Sequence, residues 1–165
     1  MTVSNVTAKS QDTSQLLADI CSSNRDTALT SKRALWKVVR HAGRPGADDE
    51  RSHLVSELIA ALAAELPPPA AREALWMLSE IGGPDSVDSI SSLLTHRALR
   101  EDARMALERI PGDESLAALQ SALAAVPDEF KANVAQSLRR RGVKVAGHPC
   151  QKLVPTKNTR VKVIS

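Results

Sequence analysis

Aromatic residues are nearly missing from this chain. Trp36, Trp76 and Phe130 are the only three in 165 residues, and there is no Tyr. Ala and Leu fill the apolar positions instead, which favours helices over the aromatic and β-branched surfaces of sandwiches and barrels. Cysteine is scarce too. Cys21 and Cys150 stand far apart in no metal or redox spacing, which argues against a disulfide-framed secreted fold. No stretch approaches about 18 uninterrupted apolar residues, so no membrane span is expected. The first thirteen residues, 1–13, are polar and rich in Ser and Thr, without the basic start and apolar run of a secretory signal. They are expected to be disordered, and the expected location is cytoplasmic. The length is that of one domain, or one small domain and a tail.

Catalytic spacing is also lacking. His41, His53, His96 and His148 share no metal-ligand spacing, so neither a metal nor a cofactor is expected. His148-Pro149-Cys150 has a proline between its would-be partners, which disfavours a positioned nucleophile. Cys21, in a short apolar segment, is expected to be buried and inert. The acidic clusters Asp48-Asp49-Glu50, Glu101-Asp102, Asp113-Glu114 and Asp128-Glu129 each stand at an expected helix start. Negative charge there complements the helix dipole without any catalytic role. No Gly-rich phosphate loop, Ser nucleophile elbow or helical HExxH occurs.

What is present is a strong asymmetry of charge. Residues 1–138 hold 14 Lys and Arg against 19 Asp and Glu, a net −5, whereas residues 139–165 hold 8 Lys and Arg and no acid, a net +8. An acidic body therefore carries a basic segment made of Arg139, Arg140, Arg141, Lys144, Lys152, Lys157, Arg160 and Lys162.

The body reads as short helices between tight turns. A first short helix holds Leu16, Leu17 and Ile20, and apolar residues recur at helical spacing over 31–42 and 50–65. Pro67-Pro68-Pro69 stops the latter. Further helices are expected over 70–81, 84–95, 98–110 and 113–125, with a last one opened by Pro127-Asp128 and closed by Gly142. The chain also matches itself. Ile81-Gly82-Gly83-Pro84-Asp85-Ser86 aligns with Ile110-Pro111-Gly112-Asp113-Glu114-Ser115 at an offset of 29. Arg72-Glu73-Ala74-Leu75 aligns with Arg104-Met105-Ala106-Leu107 at 32, and Ala34-Leu35-Trp36 with Ala74-Leu75-Trp76 at 40. A period near 30 with two helices per unit marks a helical solenoid of about four units. Each pair can bury its apolar face only against the next. Small residues such as Ala74, Ala103 and Ala106 let helices approach closely. Gly83→Val would cost about 1 kcal/mol or more if that position requires a positive φ.

The stretch AREALWMLSEIGGPDSVDSISSLL followed by REDARMALERI resembles the short HEAT-like repeats of phycobilisome lyases and many bacterial proteins. The helical pattern and the repeat predict an all-α solenoid over residues 14–141, and the Gly, Pro and basic residues that follow predict a non-helical basic tail over 142–165. The resemblance, which covers 70–141 and more weakly 30–66, implies that the solenoid is right-handed. It implies an armadillo-like binding role, because such repeats present a groove or edge to a protein partner. It further implies that Arg72 and Arg104 bridge to an acid of a neighbouring unit, with Asp85, Asp102 and Asp113 as the available partners.

The leading functional reading is a non-catalytic protein-interaction module or scaffold. Its surface lies on the inner helices at Arg72, Trp76, Arg104 and Lys131, and its partner is a protein, an acidic one among the options. Trp36 and Trp76 occupy equivalent positions, as core or groove wall or as part of a ligand cage. The tail has three readings. Val143, Val145, Leu153 and Val154 could cap the last repeat; its alternating segments could add as strands to another protein; or its cations could meet nucleic acid or another acidic surface, without an aromatic for stacking. An accessory enzyme of bilin-lyase or base-excision type is the remaining alternative, and it needs an enclosed pocket.

Overall fold

The computed structural model describes residues 12–149, all-α within that span. The expectation of disorder over 1–13 falls mostly outside it, as do Lys152, Lys157, Arg160 and Lys162. Eight helices follow in order: α1 (Thr13–Ile20), α2 (Arg25–Ala42), α3 (Asp48–Ala63), α4 (Pro68–Ile81), α5 (Pro84–Ser91), α6 (Arg100–Arg109), α7 (Asp113–Ala125) and α8 (Asp128–Arg140). None of the described helices is long and apolar enough to cross a membrane.

The helix starts show where apolar periodicity is a poor guide. α2 begins at Arg25, six residues before the stripe expected over 31–42. Asn24 caps it by accepting from the Asp26 and Thr27 amides at 2.9 and 3.1 Å. The added turns bury almost nothing, so the cap rather than burial sets the start. The proline run plays a different part from the one expected. α3 has ended at Ala63, and Glu65 turns the chain at φ 57. Pro67 precedes α4 and Pro68 and Pro69 form its first turn, where a missing amide N–H costs nothing. α5 tightens into a 3₁₀ turn over Ser92–Thr95, and α6 starts at Arg100 instead of 98.

Packing runs between near neighbours in sequence. α2 lies on α4, α4 on α6 and α6 on α8; α1 lies on α3, α3 on α5 and α5 on α7. Two layers result, and these helix-pair contacts are consistent with a helical solenoid. The core between the layers is one continuous apolar cluster, with Leu35, Leu58, Leu75, Leu78, Ile90, Leu107 and Leu119 fully buried. Ala71, Ala74, Ala103 and Ala106 are buried where α4 meets α6, as their small size anticipates.

The aligned turns share one device. The buried Ser86 hydroxyl donates back to the Gly83 carbonyl at 2.7 Å, and the buried Ser115 hydroxyl lies 2.7 Å from the Ile110 carbonyl and 3.1 Å from that of Gly112. Their glycines do not share a conformation. Gly112 sits at φ 106, but Gly83 is at φ −140 with open space where a side chain would grow, so the condition set for Gly83→Val is not met. Gly82 is the crowded one: an added Cβ would strike the Leu78 carbonyl and lie 2.7 Å from Ser86 Oγ.

The segment after α8 packs back onto the body. The Val143 amide donates to the Leu138 carbonyl at 2.9 Å, and Val143 and Val145 rest partly buried against the core. Residues 143–149 carry no helix or strand. The capping reading thus has support for Val143 and Val145, while Leu153 and Val154 lie outside the described residues.

Candidate docking face

The α2/α4/α6/α8 layer carries a ladder of polar side chains that joins each helix to the next. On the first rung Trp36 of α2 donates its indole N–H to Glu73 Oε2 of α4 at 3.0 Å, and Lys32 pairs with the same carboxylate. The second rung repeats this one helix along. Trp76 of α4 donates to Asp102 Oδ1 of α6 at 3.0 Å, and Arg72 Nε stands 3.5 Å from Asp102 Oδ2. Arg72 also reaches the Ala98 carbonyl at 3.2 Å. Of the three acids that the family resemblance offered as partners, Asp102 is the one engaged.

The third rung keeps the cation and loses the tryptophan. Arg104 occupies the position of Lys32 and Arg72, and Glu108 stands where Trp36 and Trp76 stand. Arg104 is sunk between Glu101, at 2.5 and 3.0 Å, and Glu108 at 2.8 Å, and also meets Ser137 of α8. Ser137 donates to Glu108 at 2.7 Å, Asn133 donates to Glu101 at 3.1 Å, and Arg140 Nε lies 3.2 Å from Glu108. Burial alone would push the Arg104 guanidinium towards neutrality. The flanking Glu101 and Glu108 carboxylates outweigh it and hold its pKa above the ordinary value. Burial likewise opposes ionisation of Glu101, but the hydrogen bonds from Arg104 and Asn133 and the nearby guanidinium charges prevail and hold its carboxyl below the usual range.

Two open clefts flank the middle of this face. One, of about 380 Å³, lies between α2 and α4 and is lined by Trp36, Val39, Arg40, Gly43, Glu80 and Ile81. The other, of about 510 Å³, lies between α6 and α8 and includes Arg104, Met105, Glu108, Asn133 and Arg140. Between them Arg109 of α6 pairs with Glu80 of α4. Trp76 stands in this middle region with 40% of its surface exposed, and Trp36 is half-buried. The Trp36 ring lines the α2/α4 cleft, and each indole has its polar edge tied to the next helix.

Three of the four residues expected on one surface are thus on the ladder: Arg72, Trp76 and Arg104. Lys131 is not brought to it. Its ammonium pairs with Asp128 in the first turn of its own helix at 2.7 Å, and it does not line the α6/α8 cleft. The run Arg139-Arg140-Arg141 divides three ways. Arg140 joins the ladder. Arg141 clasps the end of α6, donating to the Leu107 and Ile110 carbonyls at 3.1 and 2.8 Å, to Ser115 Oγ at 3.0 Å and to the Gly112 carbonyl at 2.8 Å. Arg139 reaches Gln136 at 3.4 Å, and its Nη2 is buried without a hydrogen-bond partner. Lys144 is exposed.

Sequence reasoning passed over Lys32, Glu73, Glu108 and Ser137. The signal for two of them was within reach, since carrying the offsets of 40 and 32 through the motif aligns Lys32 with Arg72 and Arg104, and Glu108 with Trp76. Ser137 and Asn133 leave no such trace, because the last unit diverges. Cys21 corrects another expectation: it is exposed, because it follows the last residue of α1 as its C-cap and does not sit on the buried stripe. Among the described residues no group of three or more His, Cys, Asp or Glu is placed to hold a metal ion. Comparison with family models, with curated proteins and with solved structures finds no match.

Proposed function

We propose that this chain is a non-catalytic protein-interaction module or scaffold, a right-handed solenoid of HEAT-like type whose partner docks on the ladder face. The observation that supports the reading is Trp76, a large indole with 40% of its surface exposed on the α2/α4/α6/α8 layer and its N–H tied to Asp102 at 3.0 Å. Rigid tryptophans with adjacent arginines are the side chains from which interfaces draw most of their affinity. Of the cations that a nucleic acid would use in the basic segment, Arg141 is engaged by the body through four acceptors. An accessory enzyme of bilin-lyase or base-excision type draws no support from clefts as open as these.

The test is a photoreactive phenylalanine derivative placed at Trp76, and separately at Ala117 of α7 on the opposite layer, with ultraviolet cross-linking in the native cell. A protein adduct of defined mass from position 76 and none from 117 is expected. Equal labelling from both positions, or none from 76, would overturn the reading.

A further inference from the structure

The ladder sorts its charges by depth. Lys32, Arg72 and Arg140 keep 45%, 50% and 69% of their side-chain surface exposed, while their acidic partners Glu73, Asp102 and Glu108 keep 18%, 17% and 14%. The body as a whole is acidic, yet in these three pairs the acid is sunk and the cation stands outward, while on the third rung Arg104 is the buried member against a half-exposed Glu101. On two rungs an indole N–H also occupies the acid, so the carboxylate has a partner of its own when the cation turns outward. Half-exposed ion pairs hold their cations weakly. A carboxylate arriving from outside can therefore share each cation without stranding the acid beneath it.

We infer that the ladder face takes an acidic, extended polypeptide segment, with carboxylates on Lys32, Arg72 and Arg140 and smaller apolar side chains against Trp36 and Trp76. This rests on the docking reading above and adds the chemistry of the partner. Packed helices lie about 8–10 Å apart, and an extended chain rises about 3.3 Å per residue. Lys32 and Arg72, on adjacent helices α2 and α4, thus match acids about three residues apart. Arg140, two helices beyond α4, matches an acid about six residues further on. The row of cations is interrupted by Glu80 and Glu101, both half-exposed. A polypeptide can place neutral or basic residues opposite those two acids. A phosphate backbone carries a charge at every step and cannot avoid them.

Because both tryptophans lie on the ladder and the chain has no Tyr, intrinsic fluorescence reports on this face alone. The full chain is titrated with a synthetic extended peptide bearing Glu at positions 1, 4 and 10 in a Ser/Thr/Pro background. Parallel titrations use the same peptide with Gln at those positions, and oligothymidine and oligouridine. A saturable change with the Glu peptide, weakened about fivefold or more at high salt, is expected, with no saturation by the Gln peptide. The triple variant Lys32→Gln, Arg72→Gln, Arg140→Gln should bind about tenfold more weakly. Removing as many charges elsewhere by Arg44→Gln, Arg51→Gln, Lys144→Gln should change affinity less than about twofold. Equal binding of the Glu and Gln peptides, equal loss in both triples, or tighter binding of either oligonucleotide would overturn the inference. Should the first triple fail to fold, the peptide series on the native chain decides alone. If the Glu peptide does not bind while position 76 still cross-links to a partner, the acidic chemistry fails and the docking reading stands.

Discussion

The two helix layers share one apolar core but finish their outer surfaces in opposite ways. On the α2/α4/α6/α8 layer, ion pairs run from each helix to the next through Lys32–Glu73, Arg72–Asp102, Arg109–Glu80, Arg100–Glu129 and Arg140–Glu108. Between α5 and α7 the described residues form no ion pair, and the cleft there is lined by small side chains such as Ser91, Ala117, Ala118, Ser121 and Ala125. Both surfaces are compatible with a stacked helical array. The small-residue surface needs no explanation beyond close packing. The ladder does, because each exposed pair adds only about 0.2–1 kcal/mol while two long side chains lose rotamer freedom to form it. Stability alone gives a weak account of five such links on one layer. The docking role proposed above would give them a second use.

If the core is the shared element, breaking it must abolish both surfaces together. Leu107 is fully buried on α6, between the layers. Leu107→Ala is expected to cost about 2–5 kcal/mol through lost burial and the cavity left behind. Urea unfolding followed by tryptophan fluorescence, which reports the ladder side, and by far-ultraviolet circular dichroism, which reports every helix, should give coincident transitions in the native chain and in the variant. Separate transitions would mean that the layers have independent cores.

The turns sharpen the comparison one level down, because alignment and conformation disagree there. Gly83 and Gly112 align at an offset of 29, but only Gly112 has a positive φ. Gly112→Ala is expected to cost about 1–3 kcal/mol of backbone strain. Gly82→Ala should cost a similar amount, because the new methyl meets Ser86 Oγ at 2.7 Å and the Leu78 carbonyl. Gly83→Ala should lie within about 0.5 kcal/mol of the native chain. Thermal midpoints of the three variants decide it, and equal losses at Gly83 and Gly112 would show that the two turns are alike after all.

The helices were legible because Leu and Ala recur at steps of three and four with Gly and Pro between them, and that pattern places seven of the eight starts to within about two residues. The exception is α2, whose first turns bury nothing and so leave no apolar signature; only Asn24 marks them. Half of the ladder was legible as well. Arg72, Trp76 and Arg104 stand out through self-alignment, and so does the equivalence of Trp36 with Trp76. Most of their partners were not, for a physical reason. Glu73, Asn133 and Ser137, and the choice of Asp102 among the three acids offered, are set by which side chain faces the gap between neighbouring helices, and that depends on helix rotation, to which a one-dimensional pattern is blind. The same blindness hid the pairing of Lys131 with Asp128 of its own helix and the four acceptors that hold Arg141.

The smallest expected effect isolates charge on the ladder from everything the layers share. Glu101 has its carboxyl held below the ordinary range in the folded chain. A carboxyl lowered by folding contributes stability above its unfolded pKa of about 4.3, and that contribution is lost as pH falls through the lower, folded value. Glu101→Gln should therefore lower stability at pH 7, by no more than about 1 kcal/mol because the side chain is half-exposed. The gap between variant and native chain should close progressively as the pH drops below about 4. On the opposite layer, Asp88→Asn on exposed α5 should change stability at pH 7 by less than about 0.5 kcal/mol. Urea midpoints at neutral and acid pH measure both. A Glu101→Gln gap that stays constant with pH would mean that Arg104 and Asn133 need the shape of that side chain and not its charge, and the third rung would then be packing rather than electrostatics.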